Sequence, residues 1–139
     1  MLTLIKSKTQ IIIFIQSNKQ FENTLKFLLL NENEIFGNYI KTLISNHCDE
    51  CIEVKDFANL NFYYKNSSPD ITLIDINLKN VNAFVLASNL KKKYPKAKIA
   101  LLADYEDKTL QKKSDQIGVD AFIPKENIFE IYNRLKVIS

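Results

Sequence analysis

The strongest constraint on the fold is an alternation, repeated five times, of a short apolar segment with a stretch of helical spacing. The apolar segments are Gln10–Ile15, Cys51–Val54, Ile71–Ile74, Lys98–Leu102 and Asp120–Ile123. The first, third and fourth are apolar on both faces, as expected of central strands that helices cover on both sides. The second alternates between apolar and polar residues, which is typical of an edge strand.

Apolar residues at helical spacing lie between and after these segments. The sets are Phe21, Leu25, Leu28 and Leu29, then Phe84, Ala87, Leu90 and Tyr94, and finally Ile128, Ile131, Leu135 and Ile138. A helix capped by Asp56 or Asn59, and a polar helix from Glu106 to Ile117 that Gly118 ends, complete the pattern. Five βα units predict a doubly wound parallel sheet of the flavodoxin type, with strand order 2-1-3-4-5, in a single domain over residues 1–139 with its core at about 10–138.

Scarce residue types exclude several kinds of active site. With only Gly37 and Gly118, the chain has neither a GxGxxG dinucleotide loop nor a phosphate-binding P-loop. His47 is the only histidine, which excludes sites built on several histidines. The net charge of +3 comes largely from the lysines within residues 91–98, which argues against a nucleic-acid partner. Without an export signal or an apolar run that could span a bilayer, we expect a cytoplasmic protein with no membrane contact.

In a doubly wound sheet, ligands bind beside the carboxyl ends of the strands, near the point where the strand order reverses. The residues expected there are Gln16, Ser17 and Asn18 after the first segment, Asp75 after the third, Ala103 and Asp104 after the fourth, and Pro124 and Lys125 after the fifth. Asp75 and Lys125 are therefore predicted to converge on one crevice.

Two segments of the chain resemble a known family. Pro69–Leu78 looks like the strand that leads to the phosphorylated aspartate of response-regulator receiver domains, the CheY-like phosphoacceptor modules of bacterial two-component signalling. Gly118–Lys125 looks like the last strand of the same family. The resemblance implies that Asp75 takes a phosphoryl group from a histidine kinase and that Lys125 pairs with the phosphate.

The resemblance also implies positions for metal binding and for an activation switch. The backbone carbonyl of Asn77 falls at a Mg²⁺ ligand position, and Phe122 falls at the aromatic that moves inward on activation. The hydroxyl residue that ends the fourth strand in this family, and that contacts the phosphoryl group, is replaced by Ala103. We expect Phe122 to be a packing residue rather than a working switch.

The acidic pair that holds Mg²⁺ in this family is absent from the predicted site. If Gln10–Ile15 is the first strand, Gln16 and Ser17 take the place of the two acidic residues. Asp104 either supplies part of the missing charge or caps the helix that follows, and capping is the favoured interpretation. With Asp75 and Lys125 the net charge is 0, or −1 if Asp104 points inward, so we expect Mg²⁺ to bind weakly or not at all.

An extended or additional helix is predicted between the first and second strands. The stretch from Ser17 to Asp75 is longer than the resemblance implies, and the surplus falls at about 31–46. This segment carries an apolar helical stripe formed by Ile35, Phe36, Tyr39, Ile40, Leu43 and Ile44. The stripe either packs on the domain's own sheet or offers a surface to a partner or to a second copy of the chain.

These patterns predict an atypical receiver, or pseudo-receiver, that signals through contacts with a histidine kinase or a downstream target. It is not expected to be an enzyme beyond self-phosphorylation at Asp75. If Asp75 is not phosphorylated, it forms a structural ion pair with Lys125. The alternative is a functional phosphoacceptor at Asp75. A distant alternative is a thiol redox or metal-binding protein that acts through Cys48 and Cys51, beside His47.

Overall fold

The computed structural model describes residues 25–46 and 49–138, which form one sheet of five parallel strands with helices on both faces. The strands are β1 (Lys26–Leu30), β2 (Glu50–Val54), β3 (Ile71–Asp75), β4 (Lys98–Ala103) and β5 (Ala121–Pro124). Their order is β2-β1-β3-β4-β5, and each neighbouring pair is parallel. The predicted flavodoxin-like fold and its strand order are confirmed.

Five α-helices connect and follow the strands within the described residues. They are α1 (Glu34–Ser45), α2 (Leu60–Ser67), α3 (Ala83–Lys93), α4 (Lys108–Gln116) and α5 (Ile131–Ile138). Buried residues of α1 and α5 pack on one face of the sheet, and those of α2 and α3, with Leu110 of α4, pack on the other. None of the helices in the described ranges has the length and apolar character needed to cross a membrane.

The first strand differs from the sequence-based prediction. Gln10–Ile15 and the following residues Gln16 and Ser17 lie outside the described residues, and the place between β2 and β3 is taken by Lys26–Leu30. The prediction of the first strand was therefore wrong, as was the helix predicted from the spacing of Leu25, Leu28 and Leu29. Four consecutive side chains of β1 are each at most 1% exposed, because both cores meet on this central strand.

The segment predicted as an extra helix is the ordinary connection between β1 and β2. Once β1 ends at Leu30, α1 is the one helix that the described chain places before β2, so the predicted insertion at 31–46 was wrong. The packing interpretation of its stripe is largely correct: Ile40 and Ile44 are fully buried against the sheet. On the outer side of α1, Ile35 is 84% and Tyr39 is 40% exposed.

Local signals set the ends of the helices that flank the carboxyl edge of the sheet. The side chain of Asn33 caps α1 by accepting a hydrogen bond from the backbone N–H of Phe36 at 2.9 Å. Asp107 caps α4 in the same way through the N–H groups of Thr109 and Leu110. Gly118 follows α4 with a φ of 82°, a left-handed conformation that glycine adopts without strain.

The position of β1 can be tested by truncating one of its side chains. Leu29→Ala removes a side chain that is 0% exposed, so we expect it to lower the free energy of unfolding by about 2–5 kcal/mol. The measurement is urea denaturation followed by circular dichroism. Ile35→Ala on the exposed side of α1 is the control, with an expected change within about 0.5 kcal/mol. Equal effects of the two substitutions would contradict the placement of β1.

Candidate functional site

Asp75 and Lys125 meet at the carboxyl edge of the sheet, as predicted. Asp75 is the last residue of β3 and Lys125 directly follows β5, and the Nζ of Lys125 lies 2.8 Å from Oδ2 of Asp75. The Oδ1 of Asp75 accepts a hydrogen bond from the backbone N–H of Asn77 at 2.9 Å. Because Asp75 is only 3% exposed, its charge depends on these donors rather than on water.

The ammonium group of Lys125 also contacts the aromatic ring of Phe36. The Nζ of Lys125 lies 4.6 Å from the centre of the Phe36 ring, which is within the range of a cation–π interaction. Phe36 lies in the first turn of α1, so this contact joins α1 to the end of β5. The sequence analysis placed Phe36 in a packing stripe and missed its contact with the site, because no local pattern marks an aromatic as the neighbour of a distant lysine.

Asp104 points into the site and does not cap a helix. Its Oδ1 lies 3.3 Å from the Nζ of Lys125, and both of its carboxylate oxygens lie 2.6 Å from Nδ2 of Asn77. The hydrogen bond from Asn77, with help from the Lys125 ammonium, holds the pKa of Asp104 below its usual value. The favoured capping role was wrong, because α4 begins at Lys108, two residues later than predicted, and Asp107 serves as its cap.

The residues that follow β1 are Asn31 and Glu32 rather than Gln16 and Ser17. Leu30 pairs with Ile74, so Asn31 comes level with Asp75 on the neighbouring strand. Glu32 is partly buried, and its Oε2 lies 3.3 Å from the backbone nitrogen of Lys79, in the loop after β3. The signal that could have identified this strand end is the unbroken apolar run Phe27–Leu30, which is followed by the polar residues Asn31 and Glu32.

Asn31 is fully buried in a polar pocket shared with β2. Its Nδ2 donates to the backbone oxygen of Asn33 at 2.5 Å, while its Oδ1 and the Oε1 of Glu53 have no hydrogen-bond partner among the described residues. A Cβ on Gly37 would lie 2.6 Å from Oε1 of Glu53 and 2.9 Å from Nδ2 of Asn31. The absence of a side chain at Gly37 is what makes room for the two polar groups.

Two predicted switch positions are apolar and buried. Ala103 ends β4 and is 1% exposed, so a methyl group stands where the resemblance places a hydroxyl. Phe122 on β5 is 5% exposed and belongs to the same apolar cluster as Ala103. In this structure the aromatic side chain therefore lies inside the core, as expected of a packing residue.

The charges at this edge are more negative than the first-strand prediction implied. Asp75, Asp104 and Lys125 give a net charge of −1, the value expected for an inward Asp104, and Glu32 adds another carboxylate at the same edge. Among the residues that the structure describes, no group of three or more His, Cys, Asp or Glu side chains is arranged to hold a metal ion. The described site thus contains several carboxylates, but they are not arranged as a metal-binding cluster.

The cysteine-based alternative receives little support from Cys51. This thiol is free and partly buried, and burial raises its pKa to about 12, against the smaller effect of the nearby Lys41. Redox-active cysteines have lowered pKa values, because the thiolate is the nucleophile. His47 and Cys48 lie outside the described residues.

Comparison with known proteins agrees with this architecture. The family model for the response regulator receiver domain matches residues 27–136, which begin within β1 and include every residue of the site. The transcriptional regulatory protein DegU of Brevibacillus brevis is 22% identical over 107 residues, which cover 76% of this chain and 45% of that protein. The chain therefore matches less than half the length of this curated relative.

Solved structures of the same kind share the fold at low sequence identity. The BeF3-activated N-terminal receiver domain of Klebsiella pneumoniae RstA has a TM-score of 0.72 at 18% identity and covers 81% of this chain and 97% of that one. Vibrio cholerae chemotaxis protein CheY4 has a TM-score of 0.75 at 13% identity, with 84% and 99% covered. A response regulator from Thermotoga maritima has a TM-score of 0.73 at 21% identity, with 83% and 97% covered.

The ion pair at the centre of the site should dominate its stability. Lys125→Met keeps much of the apolar stem beside Phe36 but leaves the buried carboxylate of Asp75 without its ammonium, so we expect the free energy of unfolding to fall by about 3 kcal/mol. Asp75→Asn in the same chain should restore most of that loss, because the uncompensated charge is gone. Urea denaturation of the two single variants and the double variant measures this coupling. A loss below about 0.5 kcal/mol in Lys125→Met would contradict it.

The reactivity of Cys51 tests the thiol alternative. In a Cys48→Ser background, where Cys51 is the remaining cysteine, we expect native protein at pH 8 to react with Ellman's reagent at least about tenfold more slowly than urea-unfolded protein. The native rate should rise with pH toward the raised pKa, because only the thiolate reacts. Equal native and unfolded rates at pH 8 would favour an accessible, reactive thiol.

Proposed function

Because the chain belongs to the response regulator receiver domain family, we propose that it is an atypical two-component receiver that signals through protein contacts and is phosphorylated weakly at Asp75. In this proposal Asp75 holds the phosphoacceptor position and Lys125 the phosphate-pairing position. The chain performs no turnover chemistry beyond taking a phosphoryl group onto its own carboxylate. We propose that it works in the cytoplasm, with a histidine kinase or a downstream protein as its partner.

The observation that carries this proposal is the buried methyl group of Ala103 beside an otherwise intact Asp75–Lys125 pair. Phosphoryl transfer depends on donors that stabilise charge on the transferred oxygens. Lys125 can supply one such donor, whereas Ala103 cannot supply the hydroxyl that the family places there. Transfer should be slowed, and a phosphorylated Asp75 would lack the contact that draws the loop after β4 inward.

The state of Phe122 supports an output that does not require phosphorylation. An activation step in which an aromatic moves from solvent into the core needs an outward-facing starting state. Phe122 is already 5% exposed and packed in the cluster that contains Ala103. A partner that recognises this surface would meet the inward arrangement without a phosphoryl signal.

Magnesium fits this edge of the sheet, but as a weakly held ion. The residues that would hold it are Asp75, Glu32, the backbone carbonyl of Asn77 and the amide oxygen of Asn31, which has no hydrogen-bond partner in the described part of the chain. Mg²⁺ accepts such oxygen ligands but gains most from carboxylates, and Asn31 supplies a neutral oxygen at the strand end. When bound, the ion would neutralise charge on the phosphoryl oxygens.

One observation favours the second candidate, a functional phosphoacceptor. Glu32 is the second residue after β1 and provides a carboxylate where Gln16 and Ser17 had been predicted to provide none. One acidic residue at this strand end could retain enough Mg²⁺ affinity for phosphorylation by a cognate kinase. The two candidates differ in rate and in metal dependence, which can be measured.

Restoring the missing groups tests which candidate holds. We expect the native chain to be labelled slowly by acetyl phosphate with Mg²⁺, and the double variant Asn31→Asp/Ala103→Ser to be labelled at least about tenfold faster, because it regains a carboxylate and a hydroxyl. Intact-mass spectrometry over time measures the rate. Asp75→Asn, in both backgrounds, should abolish the added phosphoryl mass.

The result that would overturn the proposal is fast, Mg²⁺-dependent labelling of the native chain at the rate of the double variant. Since Asn31 is fully buried, thermal melts must accompany the assay. Asn31→Asp alone should melt at a lower temperature than the native chain without Mg²⁺ and recover when the ion is added, because the ion compensates the buried charge.

A further inference from the structure

Asp104 lies where it can compete with a phosphoryl group for the donors of the site. We propose that its carboxylate is a built-in competitor that occupies Lys125 and the amide of Asn77 and so restrains phosphorylation of Asp75. This inference rests on the proposed function, in which Asp75 is the acceptor. It makes Asp104 a residue that sets the phosphorylation rate, and not one that merely faces solvent.

The contacts of Asp104 support competition directly. Both of its oxygens lie 2.6 Å from Nδ2 of Asn77, and Oδ1 lies 3.3 Å from Nζ of Lys125. The same Nζ lies 2.8 Å from Oδ2 of Asp75, so one ammonium already serves two carboxylates. An arriving phosphoryl group carries more negative charge and needs the same kind of charged donor. It must therefore displace Asp104 or approach against its charge.

The topology places Asp104 on the opposite side of Asp75 from the β1 residues that would hold a metal ion. Asp75 ends the central strand β3, with Asn31 and Glu32 after β1 on one side and Asp104 and Lys125 after β4 and β5 on the other. Of the residues proposed to hold the ion, Asn31 and Glu32 lie on the β1 side, whereas Asp75 and Asn77 belong to β3 and the loop after it. Asp104 lies on the lysine side, where an added negative charge repels the phosphoryl oxygens instead of recruiting a cation for them.

Asp104 also has the freedom that a displaceable competitor needs. Its side chain is 49% exposed, whereas that of Asp75 is 4% exposed. Asp107, and not Asp104, caps α4, so moving Asp104 does not uncap the helix. The carboxylate can leave Lys125 for water at small cost, because solvent replaces the lost contacts.

Asp104 is not a reactant in the transfer of a phosphoryl group to Asp75. With acetyl phosphate as donor, the bond between phosphorus and the acetyl oxygen breaks and acetate leaves with the electron pair. An oxygen of Asp75 forms the new bond to phosphorus. Lys125 then faces a phosphoryl oxygen in place of the oxygen of Asp104, so releasing Asp104 precedes or accompanies transfer.

The test compares Asp104→Asn with Glu106→Gln, a control that removes the same charge two residues away at a side chain with no described contact to Lys125. We expect Asp104→Asn to raise the initial rate of Mg²⁺-dependent labelling by acetyl phosphate, and the affinity for beryllofluoride, at least about fivefold. Glu106→Gln should leave both unchanged. Intact-mass spectrometry measures the rate, and chemical shifts of the Asn77 amide report beryllofluoride binding.

Each outcome separates the inference from the proposed function. If Asp104→Asn is unchanged while Asn31→Asp/Ala103→Ser is labelled faster, competition by Asp104 is wrong and the proposed function stands. A lower rate in Asp104→Asn would also overturn competition and would assign Asp104 to metal binding. Labelling that persists in Asp75→Asn would overturn the proposed function. The absence of any adduct in every variant would overturn both.

Discussion

The carboxyl edge of this sheet depends on a single ammonium group. Lys125 lies 2.8 Å from the buried carboxylate of Asp75, 3.3 Å from Asp104 and 4.6 Å from the ring of Phe36. These neighbours come from the end of β3, the loop after β4 and the first turn of α1. A buried carboxylate requires a counter-charge, so the lysine holds three separate parts of the chain in one arrangement.

In the proposed function, this arrangement would let a receiver fold keep its central pair even if its phosphorylation chemistry is weak. The pair has a structural role that persists without any phosphoryl group, because Asp75 is too deeply buried to be left uncompensated. The other parts of the chemistry do not share that role. A hydroxyl at residue 103 or a carboxylate at residue 31 matters mainly when a phosphoryl group and a metal ion are present. Their replacement by Ala103 and Asn31 therefore leaves the fold intact.

The fold and the central pair could be predicted from sequence because their signals are local or follow from topology. Four strands were recognisable as short apolar runs, and the parallel order then places Asp75 and Lys125 at one edge. The first strand was missed because Gln10–Ile15 has more β-branched residues than the leucine-rich β1. That one error placed the proposed metal position at Gln16 instead of Asn31 and turned α1 into an apparent insertion.

The direction of Asp104 could not be predicted for a different reason. Two aspartates, Asp104 and Asp107, precede α4, and either could cap it by sequence alone. The choice is made by Asn77 and Lys125, which lie 27 and 21 residues away along the chain. Contacts of this kind exist only once the sheet has assembled.

In the proposed function, this edge keeps the receiver's ion pair but binds Mg²⁺ weakly. A titration of the ¹⁵N-labelled protein with Mg²⁺, followed through the backbone amides of Glu32, Asp75 and Asn77, measures that affinity. Saturation only in the millimolar range or above, with shifts confined to these neighbouring amides, is the predicted result. Tight, submillimolar saturation of the native chain would contradict it and would restore a fully metal-dependent receiver.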